Sequence, residues 1–266
     1  MCYNKENAPK RHKEPYTKVK KERYHILDFI RALTLIGMIA YHLLWDLVYL
    51  FGVDMPWFRS NWGYAWQQSI CYTFIFLSGF CVCLGKRAWL RGLTVTGASI
   101  VISLVTYFFM PKQVIKFGVL TLIGVCMIIA YFFDKIGKKI PPYVGLVVCL
   151  LLFFFTRNIY KGNLGFEGIK ILTLPRELYQ NDITAFFGFP HSGFFSTDYF
   201  PLFPWMFLFF SGYFLHKIFQ KQGWMDILKT SLCPPLQFIG RHSLPIYMAH
   251  QAVIYGILLL LFNCIL

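Results

Sequence analysis

Acidic residues are scarce in this chain, and the short motifs of several large enzyme classes are missing. The 266 residues include 12 Asp or Glu against 26 Lys or Arg, and only 14% of the residues are charged. Soluble domains carry about 25% charged residues. No Walker motif, G-x-G-x-x-G, G-x-S-x-G or H-E-x-x-H occurs. The sequence therefore argues against a soluble domain and against the nucleotide-binding, serine-hydrolase and zinc-peptidase classes that these motifs define.

The sequence also lacks a pattern of cysteines that would hold a metal. It has eight cysteines, mostly inside apolar runs, with no C-x-x-C pair and no histidine at zinc-ligand spacing. Buried cysteine usually behaves as a small apolar side chain. We expect these residues to be packing residues, and we expect no metal site.

Apolar residues make up 57% of the chain, against roughly 45–50% in soluble domains. A transmembrane helix needs about 20 consecutive apolar residues. The sequence predicts an all-α integral membrane bundle of about seven transmembrane helices, at 26–51, 62–84, 88–110, 114–133, 141–156, 201–219 and 242–264. It divides the chain into a basic tail (1–24) and one transmembrane domain (25–266), with a long extracytoplasmic loop at about 157–200. No cleavage site follows the first span, which reads as a signal anchor that is retained.

Positive charge is concentrated in the leader and in alternate connections. Lys and Arg are retained on the cytoplasmic side of membrane proteins. With a cytoplasmic N-terminus, 18 Lys and Arg fall in cytoplasmic segments and 7 in outer segments. We therefore expect a cytoplasmic N-terminus and a multi-pass protein of the plasma membrane. This placement of charge suits a lipid bilayer as partner and argues against nucleic acid. The sequence leaves homo-oligomerisation open.

Four ionisable residues lie in the first predicted span. Asp28 and Arg31 are three residues apart, His42 and Asp46 are four apart, and Arg31 and His42 are eleven apart. These spacings place all four on one stripe of a helix, with Arg31 and His42 about 16 Å apart along the axis. Ionisable groups at membrane depth normally face the bundle interior or a wet cavity. The sequence therefore predicts a polar stripe that faces inward.

Each residue of this stripe suits a different chemical task. Arg31 offers a fork of donors for phosphate, or it pairs with Asp28. His42 can take a proton from an amine or a hydroxyl, and Asp46 can hold its ring in the useful tautomer. The alternative is an interfacial ion pair and a polar pair that joins helices. We expect His42 and Asp46 to be catalytic and Arg31 and Asp28 to bind the donor.

Two further segments contain candidates for the same site. His250 in the last span is a candidate second acid or base, although a histidine bonded to a neighbouring helix is an equal alternative. Asp198, Tyr199 and Trp205 lie at the start of the sixth span. Because sugar sites combine carboxylates with aromatic faces, we expect these three residues to bind the acceptor. Trp205 as a simple interfacial anchor is the alternative.

Five stretches of the chain together resemble one membrane enzyme family. They are LDFIRALTLIGMIAYHLLWDLVYLFG, FIFLSGFCVCLG, VIKFGVLTLIGV, STDYFPLFPWMFLFFSGYFL and GRHSLPIYMAHQAVIYG, in family order. The chain is similar to bacterial members of the heparan-alpha-glucosaminide N-acetyltransferase catalytic-domain family, within the multi-pass transmembrane acyltransferases. The resemblance implies acetyl-CoA as donor and an amino sugar or another glycan as acceptor. One position departs from the family, because Thr121 stands where relatives usually have histidine.

The sequence therefore predicts an acyltransferase that moves an acetyl group from acetyl-CoA to a glycan or another small acceptor. Direct transfer and an acetyl-histidine intermediate both remain open. The main alternative is a proton-coupled transporter of a small solute or lipid, in which the same buried charges form a proton relay. Inverted repeats and matched broken helices, which are typical of transporters, are not visible in the sequence. A scaffold without catalytic activity is the third alternative.

Overall fold

The structure, a computed structural model, describes residues 23–263 and is predominantly helical. Residues 1–22 of the predicted basic tail (1–24) therefore lie outside the described residues. In chain order the helices are α1 (His25–Tyr49), α2 (Asn61–Val82), α3 (Ala88–Phe109), α4 (Val119–Gly137), α5 (Pro142–Thr156), α6 (Asp182–Phe187), α7 (Leu202–Gln222), α8 (Pro234–Arg241) and α9 (Ser243–Asn263). Two short strands, β1 (Asn163–Phe166) and β2 (Ile169–Thr173), form an antiparallel hairpin between α5 and α6.

The long helices agree with the predicted spans to within a few residues. Within residues 23–263, six helical segments are long and apolar enough to cross a membrane, namely α1, α3, α4, α7, α9, and α5 together with the residues that continue it to Lys161. A predominantly helical, multi-pass membrane protein is therefore confirmed. Helix α2 has the length of a span, but its first half carries polar residues such as Asn61, Gln67 and Gln68. The count of seven spans and the cytoplasmic N-terminus stay predictions.

Helix α7 forms the centre of the bundle. It packs against α2 and α5, while α3 packs against α4, and α1 contacts α2, α8 and α9. The main apolar core lies between α2, α4, α5 and α7 and includes Phe153, Phe209 and Tyr213. By contrast, α3 and α9 bury few of their side chains within the bundle. Such exposure is expected of helices whose outer faces meet lipid.

Proline and glycine set several helix boundaries. Pro142 begins α5 and Pro234 begins α8, where the missing N–H group costs little. Helix α7 ends at Gly223, whose φ of 73° is left-handed and suits glycine. Near its start, α7 departs from helical geometry at Phe203, which precedes a cis peptide bond to Pro204.

The predicted loop at 157–200 has regular structure of its own. Besides the β1–β2 hairpin it contains α6, whose first turn is closed by a capping box between Asn181 and Thr184. Asn158 fixes the hairpin by donating from Nδ2 to the carbonyl oxygens of Glu167 (2.9 Å) and Ile169 (3.0 Å). The loop is therefore a packed layer over one end of the bundle.

Candidate active site

A cavity of about 240 Å³ runs between α1, α2, α3, α4 and α9. At one end it is lined by Arg31 of α1, Arg91 of α3 and Ser243 at the start of α9. Apolar side chains of α2 and α4 line the middle, and Tyr247, one turn further along α9, lies toward the other end. The bundle thus holds a pocket that is cationic at one end and mostly apolar along its length.

The cationic end carries more positive than negative charge. Arg31 Nη1 lies 3.1 Å from Asp28 Oδ1, and Arg241 Nε lies 3.8 Å from Asp28 Oδ2. Arg91 Nη2 donates to the carbonyl oxygens of Val82 (2.6 Å) and Gly85 (3.4 Å), whereas its Nε is buried without a partner. No carboxylate of the described residues pairs with Arg91. Arg31 and Arg241 therefore share one carboxylate while Arg91 has none among the described residues, which leaves capacity for an anion.

His42 and His250 contact each other beyond the Tyr247 end of this cavity. Their ring centroids are 4.9 Å apart, with one ring edge-on to the other. His42 Nδ1 is 2.9 Å from the carbonyl oxygen of Met38, and His250 Nδ1 bonds the carbonyl oxygen of Tyr247. Because a carbonyl oxygen only accepts, each Nδ1 carries a proton, and in the neutral ring Nε2 keeps its lone pair. His42 is half-buried, whereas His250 is only 9% exposed and its Nε2 has no partner among residues 23–263.

The contacts of Asp46 differ from those expected from the sequence. Its carboxylate is fully buried and accepts from Gln251 Nε2 at 2.8 Å (Oδ1) and 3.0 Å (Oδ2). It remains near enough to His42 for an electrostatic interaction, but the Met38 carbonyl, four residues back along α1, holds the His42 ring. The expected hydrogen bond is replaced because the helix backbone offers His42 an acceptor and α9 offers Asp46 an amide.

Asp198 reaches the same region from the segment before α7. Its Oδ2 accepts from the backbone N–H of Val119 at 3.2 Å and so caps the first turn of α4. Gly118 leaves room for this carboxylate, since a Cβ there would approach Asp198 Oδ2 to 2.7 Å. Burial raises the pKa of Asp198, and an electrostatic interaction with His42 opposes that shift. Of the three predicted acceptor residues, Asp198 is the one that lies near the histidine pair.

Tyr199 and Trp205 have other partners. The Tyr199 hydroxyl donates to the carbonyl oxygen of Ala185, which fixes α6. Trp205 is buried, and its ring lies 4.7 Å from the guanidinium carbon of Arg157 and 5.6 Å from the ring of Tyr72. These contacts support the walls of the bundle beneath the 157–200 loop.

Thr121 does not line the cavity. Its hydroxyl bonds that of Ser99, which is buried between α3 and α4. The neighbouring residues Leu120 and Ile123 face the cavity instead. The position at which relatives usually have histidine is therefore occupied here by a residue that joins two helices.

One ionic cluster ties the outer layer to the bundle. Asp182 lies 3.2 Å from Lys116 Nζ and 3.1 Å from His191 Nε2. Hydrogen bonds from His191 and Lys116 lower the pKa of Asp182. This cluster is exposed, and it anchors α6 to the connection between α3 and α4.

The structure also brings to the site three residues to which the sequence assigned no role, namely Arg91, Tyr247 and Gln251. In the sequence, Arg91 contributes only to the number of Lys and Arg residues assigned to the cytoplasmic side. Tyr247 precedes His250 by three residues, and Gln251 follows it directly. This closeness to a candidate histidine was the feature of the sequence that could have predicted their place in the site. No group of three or more His, Cys, Asp or Glu side chains able to hold a metal is found within residues 23–263.

Comparison with known families supplies the classification. The model of the family described as heparan-alpha-glucosaminide N-acetyltransferase, catalytic, matches residues 23–252. The chain belongs to this family. Membership identifies it as a membrane acetyltransferase, and acetyltransferases of this type use acetyl-CoA as donor. No curated protein and no solved structure matches the chain.

Proposed function

We propose that this chain transfers an acetyl group from acetyl-CoA to the amino or hydroxyl group of an amino sugar or another glycan, within the membrane. One observation carries the proposal. A single cavity leads from two arginines to Tyr247, whose neighbour His250 contacts His42. The cationic end, the apolar middle and the two imidazoles follow one another along this path. The phosphates, the uncharged arm and the thioester of acetyl-CoA follow one another in the same order.

Arg31 and Arg91 fit the anionic end of the donor. Guanidinium forks bind phosphate oxygens through two donors at once. Asp28 holds Arg31 in place through their ion pair. Arg91 has no carboxylate partner within the described residues. The unpartnered Nε of Arg91 is the observation that most favours an anion here. The apolar middle of the cavity suits the uncharged arm that links the phosphates to the thioester.

His42 is the proposed general base. Its Nδ1 proton is committed to the Met38 carbonyl, so that Nε2 presents a lone pair, and the ring is half-buried. In this role Nε2 removes the proton of the acceptor amine or hydroxyl as that group attacks the thioester. His250 presents a second lone pair beside it and takes the part of the second acid or base. Asp46 lies near enough to His42 for an electrostatic interaction, and in this role it stabilises the imidazolium that forms as His42 takes the proton.

Asp198 is the proposed contact for the acceptor. Its carboxylate lies near His42 at the side of the site covered by the 157–200 loop. Carboxylates accept hydrogen bonds from sugar hydroxyl and ammonium groups. We assign Tyr199 and Trp205 to the walls of this acceptor side, where they hold α6 and Arg157 in position.

Two routes use these residues. In direct transfer the acceptor attacks the thioester while His42 removes its proton. In the other route the Nε2 lone pair of a histidine attacks first, and the acceptor then takes the acetyl group from the ring. Release of free CoA in one fast turnover without acceptor, measured on rapidly mixed purified protein, would favour the second route.

The test is acetyl transfer by the purified protein to a panel of amino sugars, with His42→Ala compared with the unmodified chain. Loss of a positioned base usually costs 10²–10⁴-fold in rate, and we expect a loss of about this size. His242→Ala is the matched control, because His242 is exposed and lies on the surface at the end of α8. Transfer by His42→Ala at the rate of the unmodified chain would contradict the mechanism.

A further inference from the structure

Tyr247 separates the cavity from the histidine pair. Its side chain lines the cavity, and its ring centroid lies 5.3 Å from that of His250. The backbone carbonyl of Tyr247 accepts the hydrogen bond from His250 Nδ1. A thioester that enters past Arg31 therefore meets Tyr247 immediately before it reaches the two imidazoles.

The hydroxyl of Tyr247 has no hydrogen-bond partner in the part of the chain that the structure describes. Other tyrosines of the bundle differ in this respect, since Tyr199 donates to the Ala185 carbonyl and Tyr213 to Asp134. The phenol lies near enough to Asp198 for an electrostatic interaction. The side chain is partly exposed and lines the cavity, so its hydroxyl is left to bond a ligand that occupies the cavity.

We propose that the Tyr247 hydroxyl donates a hydrogen bond to the carbonyl oxygen of the donor thioester and stabilises the negative charge that this oxygen acquires during transfer. The proposal rests on the acetyl-transfer function proposed above. It gives the unpartnered hydroxyl a ligand of defined chemistry, an acyl carbonyl, at the boundary between the donor cavity and the proposed base.

The step balances as follows. The nitrogen or oxygen of the acceptor forms a bond to the thioester carbon, while His42 Nε2 takes the acceptor's proton. The electron pair of the C=O bond moves to oxygen, where the Tyr247 hydroxyl stabilises it. When the C=O bond re-forms, the carbon–sulfur bond breaks and its electron pair leaves with sulfur. The thiolate then receives the proton held by His42, which restores the site.

Tyr247→Phe is the variant to test, because it keeps the ring that contacts His250 and removes only the hydroxyl. Removal of one such donor costs roughly 10²–10³-fold in kcat in enzymes that stabilise an oxyanion. We expect a fall of about that size in kcat, with the Kd for CoA changed less than about two-fold. In the unmodified protein, the infrared carbonyl band of bound acetyl-CoA should lie at lower frequency than in Tyr247→Phe.

Tyr131→Phe is the control, because this tyrosine lies exposed on α4 away from the cavity. Unchanged kcat in Tyr247→Phe, or a weaker CoA affinity at unchanged kcat, would overturn the assignment while leaving the acetyltransferase function intact. Absence of transfer by the unmodified protein with every acceptor would instead overturn the proposed function, and this assignment with it.

Discussion

At the scale of single residues, the charge balance at the cationic end of the cavity makes Arg91 informative. Arg91 lines the cavity without a carboxylate partner among residues 23–263, whereas Arg31 already pairs with Asp28. A hydrogen bond to a charged group contributes about 1.5–3 kcal/mol. We therefore expect Arg91→Gln to weaken CoA binding by roughly 10- to 100-fold at low salt. Isothermal titration of the detergent-solubilised protein measures this change.

Lys86→Gln is the matched control for Arg91→Gln. It removes the same charge five residues earlier, in the connection that leads into α3, but Lys86 is exposed and does not line the cavity. A general attraction of the basic connections for an anion would weaken CoA binding equally in both variants. Equal weakening would therefore show that Arg91 does not contact the donor.

The polar stripe of α1 could be predicted because all its members belong to one helix. The 3.6-residue period places Arg31 and His42 on the same side from spacing alone. The contact between Asp46 and Gln251 could not be predicted, since 205 residues separate them and only the packing of α9 on α1 brings them together. The role of Thr121 was equally inaccessible, because its partner Ser99 lies on a different helix.

At the scale of helices, α2 and α7 approach each other closely at two glycines. A Cβ on Gly79 of α2 would overlap the backbone oxygen of Phe209, and a Cβ on Gly212 of α7 would overlap that of Phe76. Small residues at such crossings let helix backbones come together in membranes. Because the obstructing atoms are backbone, neither site can relax by moving one side chain.

We therefore expect Gly212→Ala to destabilise the protein. Overpacking of a tight interior costs about 1–3 kcal/mol, and the effect should appear as a lower Tm in detergent. Gly97→Ala is the matched control, because its Cβ position on α3 has no atom of another described helix within 4 Å. Equal Tm values for the two variants would contradict the close α2–α7 contact.

The positions of the helices could be predicted from the apolar runs of the sequence. The structure of the layer formed by residues 157–200 could not. The predicted span at 88–110 corresponds to α3 (Ala88–Phe109), since a predominantly apolar run of about twenty residues leaves few alternatives. The hairpin of β1 and β2 was missed because its strands have four and five residues, and every residue of β2 is exposed. Without a buried face, β2 shows no alternation that would predict a strand.

At the scale of the whole molecule, α2 decides how many times the chain crosses the membrane. It is as long as the other spans and packs along α7, but polar residues lower its hydropathy. Partners inside the bundle can satisfy such residues at membrane depth. Gln68, for example, accepts from Arg157 Nη2 at 2.9 Å. The contact with α7 and the distribution of Lys and Arg together favour a spanning α2.

The orientation can be tested with single cysteines introduced at Arg59, Lys86 and Lys112, which are exposed in three successive connections. If α2 and α3 both span and the N-terminus is cytoplasmic, a membrane-impermeant maleimide should label Arg59→Cys and Lys112→Cys in intact cells. It should label Lys86→Cys only after permeabilisation, with the parent chain giving the background from its own cysteines. Labelling of positions 59 and 86 from the same side would contradict seven spans, because a non-spanning α2 leaves both connections in one compartment.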